Sequence, residues 1–276
     1  RHVTLRNALR IAMEQQRLQL FYQPQVDGEG RITGLEALIR WSHPEFGWVP
    51  PSEFIPLAEE TGQIIDLGRW VMRRACYDAK RLWRSGLKPG RVAVNLSPLE
   101  FHRMDFLSSV CQTLDQTHLH AECLELEITE GMLLDDQERV ARTLGALAAR
   151  GVTTAIDDFG KGYSSFDYLK SLPIDKIKID RGFVAQCLDS ERDIAVCRSV
   201  ITLAQELGLE ALAEGVETPH QCAALKDLGC TTFQGYLFSR PVPFRELAGL
   251  LRRPHLAPQQ EVPMDRQDLI GAEARR

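Results

Sequence analysis

Eight short strand-like runs, most of them separated by longer amphipathic stretches, constrain this chain more than any other feature. They cover 18–26 (LQLFYQPQV), 34–41 (GLEALIRW), 91–97 (RVAVNLS), 123–129 (CLELEIT), 151–157 (GVTTAID), 174–180 (IDKIKID), 210–214 (EALAE) and 233–238 (FQGYLF). Helical periodicity fills stretches such as 66–85, 135–150 and 190–207. Repeated strand–helix units of this kind imply a parallel sheet with helices packed on it.

Eight such strands predict closure into a barrel, an architecture that commonly takes about 250 residues; the chain has 276. One connection breaks the pattern. Only 27–33 (DGEGRIT) separates the first two runs, which is too short for a crossover helix, so these strands should form an antiparallel hairpin. The expected fold is therefore α/β, a (β/α)8 TIM-like barrel with its first strand antiparallel to the rest.

Alternation within the strands separates an outer face from an inner one. Leu124, Leu126 and Ile128 oppose Glu125, Glu127 and Thr129; Ile177 and Ile179 oppose Lys176, Lys178 and Asp180; Val92, Val94 and Leu96 oppose Ala93, Asn95 and Ser97. The apolar face should meet the helices and the polar face the barrel interior. Asn95, Glu127, Asp157, Asp158, Lys178, Glu214 and Glu217 all fall at or just beyond a strand end, where barrel enzymes keep their active sites. Glu36 lies earlier in its strand but shares a face with Arg40. Any one charged strand end can simply be loop polarity. Five of eight strands showing the pattern argue for a site.

Six carboxylates (Glu36, Glu127, Asp157, Asp158, Glu214, Glu217) meeting at one mouth would repel strongly, and Lys178 supplies a single positive charge. Divalent cations resolve this better. An all-oxygen ligand set without His or Cys favours Mg²⁺ or Mn²⁺ over Zn²⁺. Adjacent Asp157 and Asp158 suggest two ions, the arrangement that clamps an in-line displacement at phosphorus. The residues alone thus reach a two-metal phosphoryl hydrolase without naming its phosphodiester. A net charge of −5 and no basic stripe argue against a nucleic-acid polymer as partner. Seven cysteines without a CxxC pair suggest free thiols in a reducing compartment.

Ordered motifs add a name to this chemistry. FYQPQV with GLEALIRWSHPEFGWVPPSEFIPLAEETG, then VNLSP (94–98), ELEITE (125–130), DDFGKGYSS (157–165), KIKID (176–180), AEGVET (213–218) and FQGYLFSRPVP (233–243) closely resemble the EAL phosphodiesterase family over about residues 4–252. The resemblance implies an enzyme that opens cyclic di-GMP to linear 5′-pGpG. It implies that Glu36, Asn95, Glu127 and Asp157 bind one metal and that Asp157, Asp158 and Glu214 serve the second, with Glu217 close by. It further implies Glu214 as a candidate general base and Lys178 as the group holding the nucleophilic water, which attacks phosphorus in line and expels a ribose 3′-oxygen. Gln23, Leu38 and Arg40 match substrate-contacting positions, and Gln234, Arg240 and Pro241 match positions near the metals or the guanine. Glu130 matches a residue that steadies the 157–165 loop, which couples the site to dimerisation. Gly160 and Gly162 give that loop its latitude, and Lys161 replaces the small residue usual there. Ca²⁺ is expected to inhibit.

The resemblance also implies cyclic di-GMP as partner, a homodimer paired near the 157–165 loop, and sensor or cyclase-like domains in a longer protein, since the sequence opens on Arg1 rather than Met. Expected boundaries are 1–252 for the domain, with 1–17 a linker helix, and 253–276 a flexible tail. The domain is expected in the cytoplasm without membrane contact of its own, the whole protein being open to membrane anchoring through other segments. A catalytically silent cyclic di-GMP receptor is the competing function; such proteins usually lose a metal ligand or the lysine, and all stand here. A hydrolase of another phosphodiester is a third, opposed only by the Arg40 and guanine-side matches. His43, before Pro44, is expected to shape a turn, and Trp41, Trp48, Phe54 and Tyr236 to pack.

Overall fold

The DGEGRIT segment makes the turn that its length requires. In the computed structural model, which describes residues 2–15, 17–134, 136–160 and 169–256, β1 (Leu18–Asp27) runs antiparallel to β2 (Ile32–His43). The Asp27 carboxylate accepts the N–H groups of Glu29 and Arg31 at 2.8 and 3.0 Å, and Gly30 takes a φ of +80° that a side chain would resist. The remaining strands are β3 (Gly47–Val49), β4 (Arg91–Asn95), β5 (Leu124–Thr129), β6 (Thr153–Phe159), β7 (Lys176–Ile179), β8 (Glu210–Ala213), β9 (Thr232–Phe233) and β10 (Val242–Pro243).

Eight of them close a ring in the order β1–β2–β4–β5–β6–β7–β8–β9 and back to β1. All neighbours from β2 to β9 are parallel, and β1 is antiparallel to both of its ring neighbours, as the short first connection predicts. The two short strands not foreseen, β3 and β10, pair outside the ring with β2 and β1.

Strand alternation sorts the core as expected. Val92, Val94, Leu124, Leu126, Ile128, Ile177 and Ile179 are buried in one cluster beneath the surrounding helices. Helix Ile64–Arg84 contributes Val71, Met72, Ala75, Ala79 and Leu82 to it, spaced to share one stripe. Each large aliphatic side chain so buried stabilises the fold by roughly 1.5–3 kcal/mol. Helix Glu191–Leu207 begins at Ser190, whose hydroxyl accepts the Asp193 N–H, and ends at Gly208 with φ +71°. Helix His2–Glu14 buries Leu5, Leu9 and Ala12 against a second cluster with Trp41, Phe54 and Leu57. At the other end, Leu256 is buried and its N–H donates to Gly30 O at 2.8 Å; residues 257–276 of the expected tail lie outside the described residues. Among the described residues, no helix is long and apolar enough to cross a membrane.

Two expectations are corrected. The run 233–238 is strand only at Thr232–Phe233, because the chain then coils around Val216: Val216 N–H donates to Gln234 O, and Leu237 N–H donates to Val216 O. Gly235 permits this approach, since a Cβ there would stand 2.1 Å from Val216 O. Cys123 closes a single 3₁₀ turn (Ala121–Cys123) and is half-buried, so the strand begins one residue later. His43 does shape a turn, its Nδ1 accepting the N–H groups of Glu45 and Phe46.

After β4 the chain enters the short helix Pro98–Phe101 through a reciprocal cap: Ser97 Oγ accepts the Glu100 N–H, and the Glu100 carboxylate accepts the Ser97 N–H. Burial pushes the Glu100 carboxyl up to about 7 despite these hydrogen bonds. Between the ordinary carboxyl range and pH 7 the folded chain retains a proton that the unfolded chain has lost. Stability therefore falls as pH rises through that window, by up to about 3 kcal/mol. Glu100→Gln keeps the cap without the charge, so its melting temperature should exceed that of the wild type at pH 8, with the gain vanishing near pH 4. An equal gain at both pH values would contradict this account.

Candidate active site

The inward faces of five strands converge on one lysine. Lys178, from β7, is fully buried, with Nζ 2.7 Å from Glu214 Oε1, 2.8 Å from Glu127 Oε1, 3.3 Å from Asp157 Oδ1 and 3.9 Å from Glu36 Oε1. Burial alone would lower its pKa. The charges of Asp157, Glu127, Glu214 and Glu36 outweigh that and hold the ammonium well above its ordinary value. The carboxylates bear the opposite strain. Burial drives Glu127 well above the usual range and Glu214 to about 8, even against the attraction of Lys178.

The β1–β2 register builds the adjoining wall. Gln23 pairs with Glu36, Phe21 with Leu38 and Gln19 with Arg40. Glu36 accepts from Asn95 Nδ2 at 2.8 Å and from Gln234 Nε2; Gln234 Nε2 also lies 3.2 Å from Gln23 Oε1, and Gln23 Nε2 donates to the Ser239 carbonyl at 3.1 Å. Leu38 and Arg40 follow Glu36 on the same face toward the C-terminal end of β2. Arg40 Nη1 donates to Ile39 O at 2.8 Å, and its guanidinium lies 5.8 Å from the Phe21 ring centre. Arg240 stacks over Tyr236 at 4.4 Å, and Pro241 beside it is half-buried.

Two consecutive residues of a regular strand point to opposite faces. Asp157 and Asp158 escape this through a bulge: the β6–β7 register shifts between Ile156 and Phe159, and Asp158 adopts a φ of +54°. The Asp158 N–H donates to Asp157 Oδ1 at 2.9 Å, which steadies the turn. Both carboxylates thereby join Glu214, one oxygen of each lying within 4.8 Å of the others. A non-glycine residue in left-handed conformation costs about 1–3 kcal/mol, a strain that recurs at functional sites.

These groups fit divalent cations. Asp157, Asp158 and Glu214 offer a cluster of the right span, all donors are oxygens, and neither oxygen of the buried Glu127 receives a hydrogen bond among the described residues. A buried carboxylate with only an ammonium for company is a ready ligand. Glu217 stands apart from that cluster: it is exposed, and its backbone N–H donates to Gln221 Oε1 at 2.9 Å. Glu130 is buried in the 3₁₀ turn Glu130–Leu133 that follows β5. Gly160 has a φ of +102°, the latitude expected of it; Lys161 and Gly162 lie outside the described residues. The second charged layer beneath the site, around Lys176, carried no expected role. Its signal is the period-two repeat of Glu125 with Glu127 and of Lys176 with Lys178.

The model of the EAL domain matches residues 6–241. The chain is 44% identical over 245 residues to cyclic di-GMP phosphodiesterase NbdA of Pseudomonas aeruginosa, covering 88% of this chain and 31% of that protein. Against the bifunctional diguanylate cyclase/cyclic di-GMP phosphodiesterase MucR of the same organism it is 43% identical over 241 residues, 87% of this chain and 35% of that one. The solved structure of the PaMucR phosphodiesterase in its c-di-GMP complex matches with a TM-score of 0.86 at 41% identity, over 88% of this chain and 99% of that one. The chain spans about a third of the length of the curated relatives it matches.

Proposed function

The chain belongs to the EAL domain family, and we propose that its barrel mouth hydrolyses cyclic di-GMP to linear 5′-pGpG with two divalent cations, Mg²⁺ or Mn²⁺. The observation that carries the reading is the complete set of Glu36, Glu127, Asp157 and Glu214 around Lys178 Nζ, with Asp158 turned into the same cluster. Glu36, Asn95, Glu127 and Asp157 would hold one cation, and Asp157, Asp158 and Glu214 the second, with Glu217 at the rim. Bound there, the ions supply charge neutralisation for the phosphoryl oxygens and acidify water.

The remaining chemistry belongs to side chains. Lys178 offers an ammonium N–H to the attacking water and keeps it in line with phosphorus. Glu214, 2.7 Å from that ammonium, accepts the proton which the water sheds on forming the P–O bond. The scissile bond to the ribose 3′-oxygen breaks, and that oxygen leaves with a proton from solvent. Arg40, further up the inner face of β2, serves the phosphate with a planar donor pair. Gln23 and Gln234 hold Glu36 in place, and Leu38, Arg240 and Pro241 shape the nucleotide side of the mouth. Ca²⁺ should inhibit, because a larger ion with looser geometry would occupy the same ligands.

A homodimer paired near the 157–165 loop, with Glu130, Gly160 and Gly162 linking that loop to the site, belongs to the same proposal. So do sensor or cyclase-like domains elsewhere in a longer protein. Cyclic di-GMP incubated with the chain and Mg²⁺ or Mn²⁺, then resolved by chromatography, should yield pGpG, and much less with Ca²⁺. Nucleotide binding without product would overturn the enzyme reading in favour of a silent receptor.

A further inference from the structure

One rung below the carboxylate mouth, the same two strands carry a second buried ion pair. Lys176 Nζ lies 2.8 Å from Glu125 Oε1, 3.0 Å from Gln25 Oε1 and 3.7 Å from Glu210 Oε1. Glu125 is 0% exposed and Lys176 3%, as enclosed as the Glu127–Lys178 pair above them. Arg91, at the start of β4, lies 3.9 Å from both Glu125 and Glu210, and the Thr232 hydroxyl donates to Glu210 at 2.7 Å. The contact passes over β6 and joins β7 to β5 and, through Gln25, to β1.

Stability does not explain this layer. A buried ion pair typically does no better than well-packed apolar side chains of the same volume, and aliphatic layers are the usual filling of such barrels. Register gives a better reason. A slip of β7 by one residue would turn Ile177 and Ile179 inward and is excluded by their burial. A slip by two keeps isoleucine outside and one lysine inside, so hydrophobic pattern cannot exclude it. Moved one way, Lys176 would replace Lys178 beside Glu127 and leave Glu125 facing Ile174. Moved the other way, Asp180 would enter the set that already holds four carboxylates. Either slip strands a buried charge, and only the observed register satisfies both layers.

We propose that Lys176 and Glu125 are positioning residues: their pair locks β7 against β5 so that Lys178 meets Glu127, Glu214 and Asp157 at the distances seen. The kinetic part of this inference rests on the proposed phosphodiester hydrolysis; its metal-binding part does not.

The test compares Lys176→Met with the double variant Lys176→Met/Glu125→Leu, using melting temperature, kcat and KM for cyclic di-GMP, and Mn²⁺ affinity by calorimetry without nucleotide. The single variant should lose melting temperature, because Glu125 loses its near cation and keeps only Arg91, 3.9 Å away, for balance. The double variant should recover that temperature. Yet it should keep a kcat reduced about 10- to 100-fold at a KM within about twofold of wild type, since a misplacement near 1 Å costs that much. Its Mn²⁺ affinity should fall by about tenfold. Wild-type kcat and Mn²⁺ affinity in the double variant would reduce the pair to filling and overturn the inference. If the wild type proves inactive, the Mn²⁺ affinity of the refolded double variant decides alone: a fall supports the lock, and no change refutes it.

Discussion

Replacing Lys178 by methionine should cut turnover at least about 10³-fold and make the chain's stability fall steeply with rising pH. The loss of rate follows from removing a preorganised cation from a water-excluded site, where each such donor is worth about 10²–10³ and this one also holds the nucleophile. Lys178 is the cation that Glu127, Glu214, Asp157 and Glu36 surround. Without it their repulsion is unopposed, and breaking a buried pair from one side costs about 3–5 kcal/mol. The sign with pH follows directly. Carboxyl groups already driven upward by burial are driven further, so the folded variant holds protons that the unfolded chain releases, and its stability declines as pH rises. Melting in EDTA should therefore show a small deficit at pH 5 and a large one at pH 8, and Mn²⁺ should narrow the pH 8 deficit without restoring turnover. A variant that melts like wild type at pH 8, or retains its rate, would show that Lys178 neither balances the carboxylates nor serves the reaction.

Glu36→Ala should be as damaging to catalysis and far gentler to the fold. Its carboxylate lies 3.9 Å from Lys178, the longest of the four approaches, so the ammonium keeps its three nearer partners. Asn95 and Gln234 each lose an acceptor. Asn95 is exposed and can turn to water, which leaves the amide of buried Gln234 to cost about 1–3 kcal/mol. Turnover should drop at least about 10³-fold, because a first-metal ligand and the anchor of the Gln23–Gln234 wall disappear together. Circular dichroism should be unchanged. Near-normal turnover would remove Glu36 from the metal site.

What the sequence discloses here depends on whether a feature is local and periodic. The short DGEGRIT connection could only be a hairpin, and it alone orients β1 against its neighbours. The alternations CLELEIT and KIKID expose which side chains enter the barrel, because a buried face with period two leaves no other placement. The Asp157–Asp158 bulge was beyond such reasoning: alternation sends neighbours to opposite faces, and nothing local announces that Asp158 takes φ +54°. The coil after Phe233 was likewise hidden, since QGYLF reads as strand until Val216, far along the chain, supplies the hydrogen bonds that bend it. Glu217, just past β8, is exposed, and its backbone N–H donates to Gln221 Oε1.

The lower charged layer belongs to the same lesson. Glu125 and Lys176 were visible as inward-facing residues, yet their pairing needed the ring to close, since they sit on strands separated by β6.

Diffraction at the manganese edge from crystals grown with Mn²⁺ and a non-hydrolysed cyclic di-GMP analogue tests the central proposition most directly. Two anomalous peaks are expected about 3.5–4 Å apart, one bordered by Glu36, Asn95, Glu127 and Asp157 and the other by Asp157, Asp158 and Glu214. Full nucleotide occupancy with no peak among these residues would contradict the account.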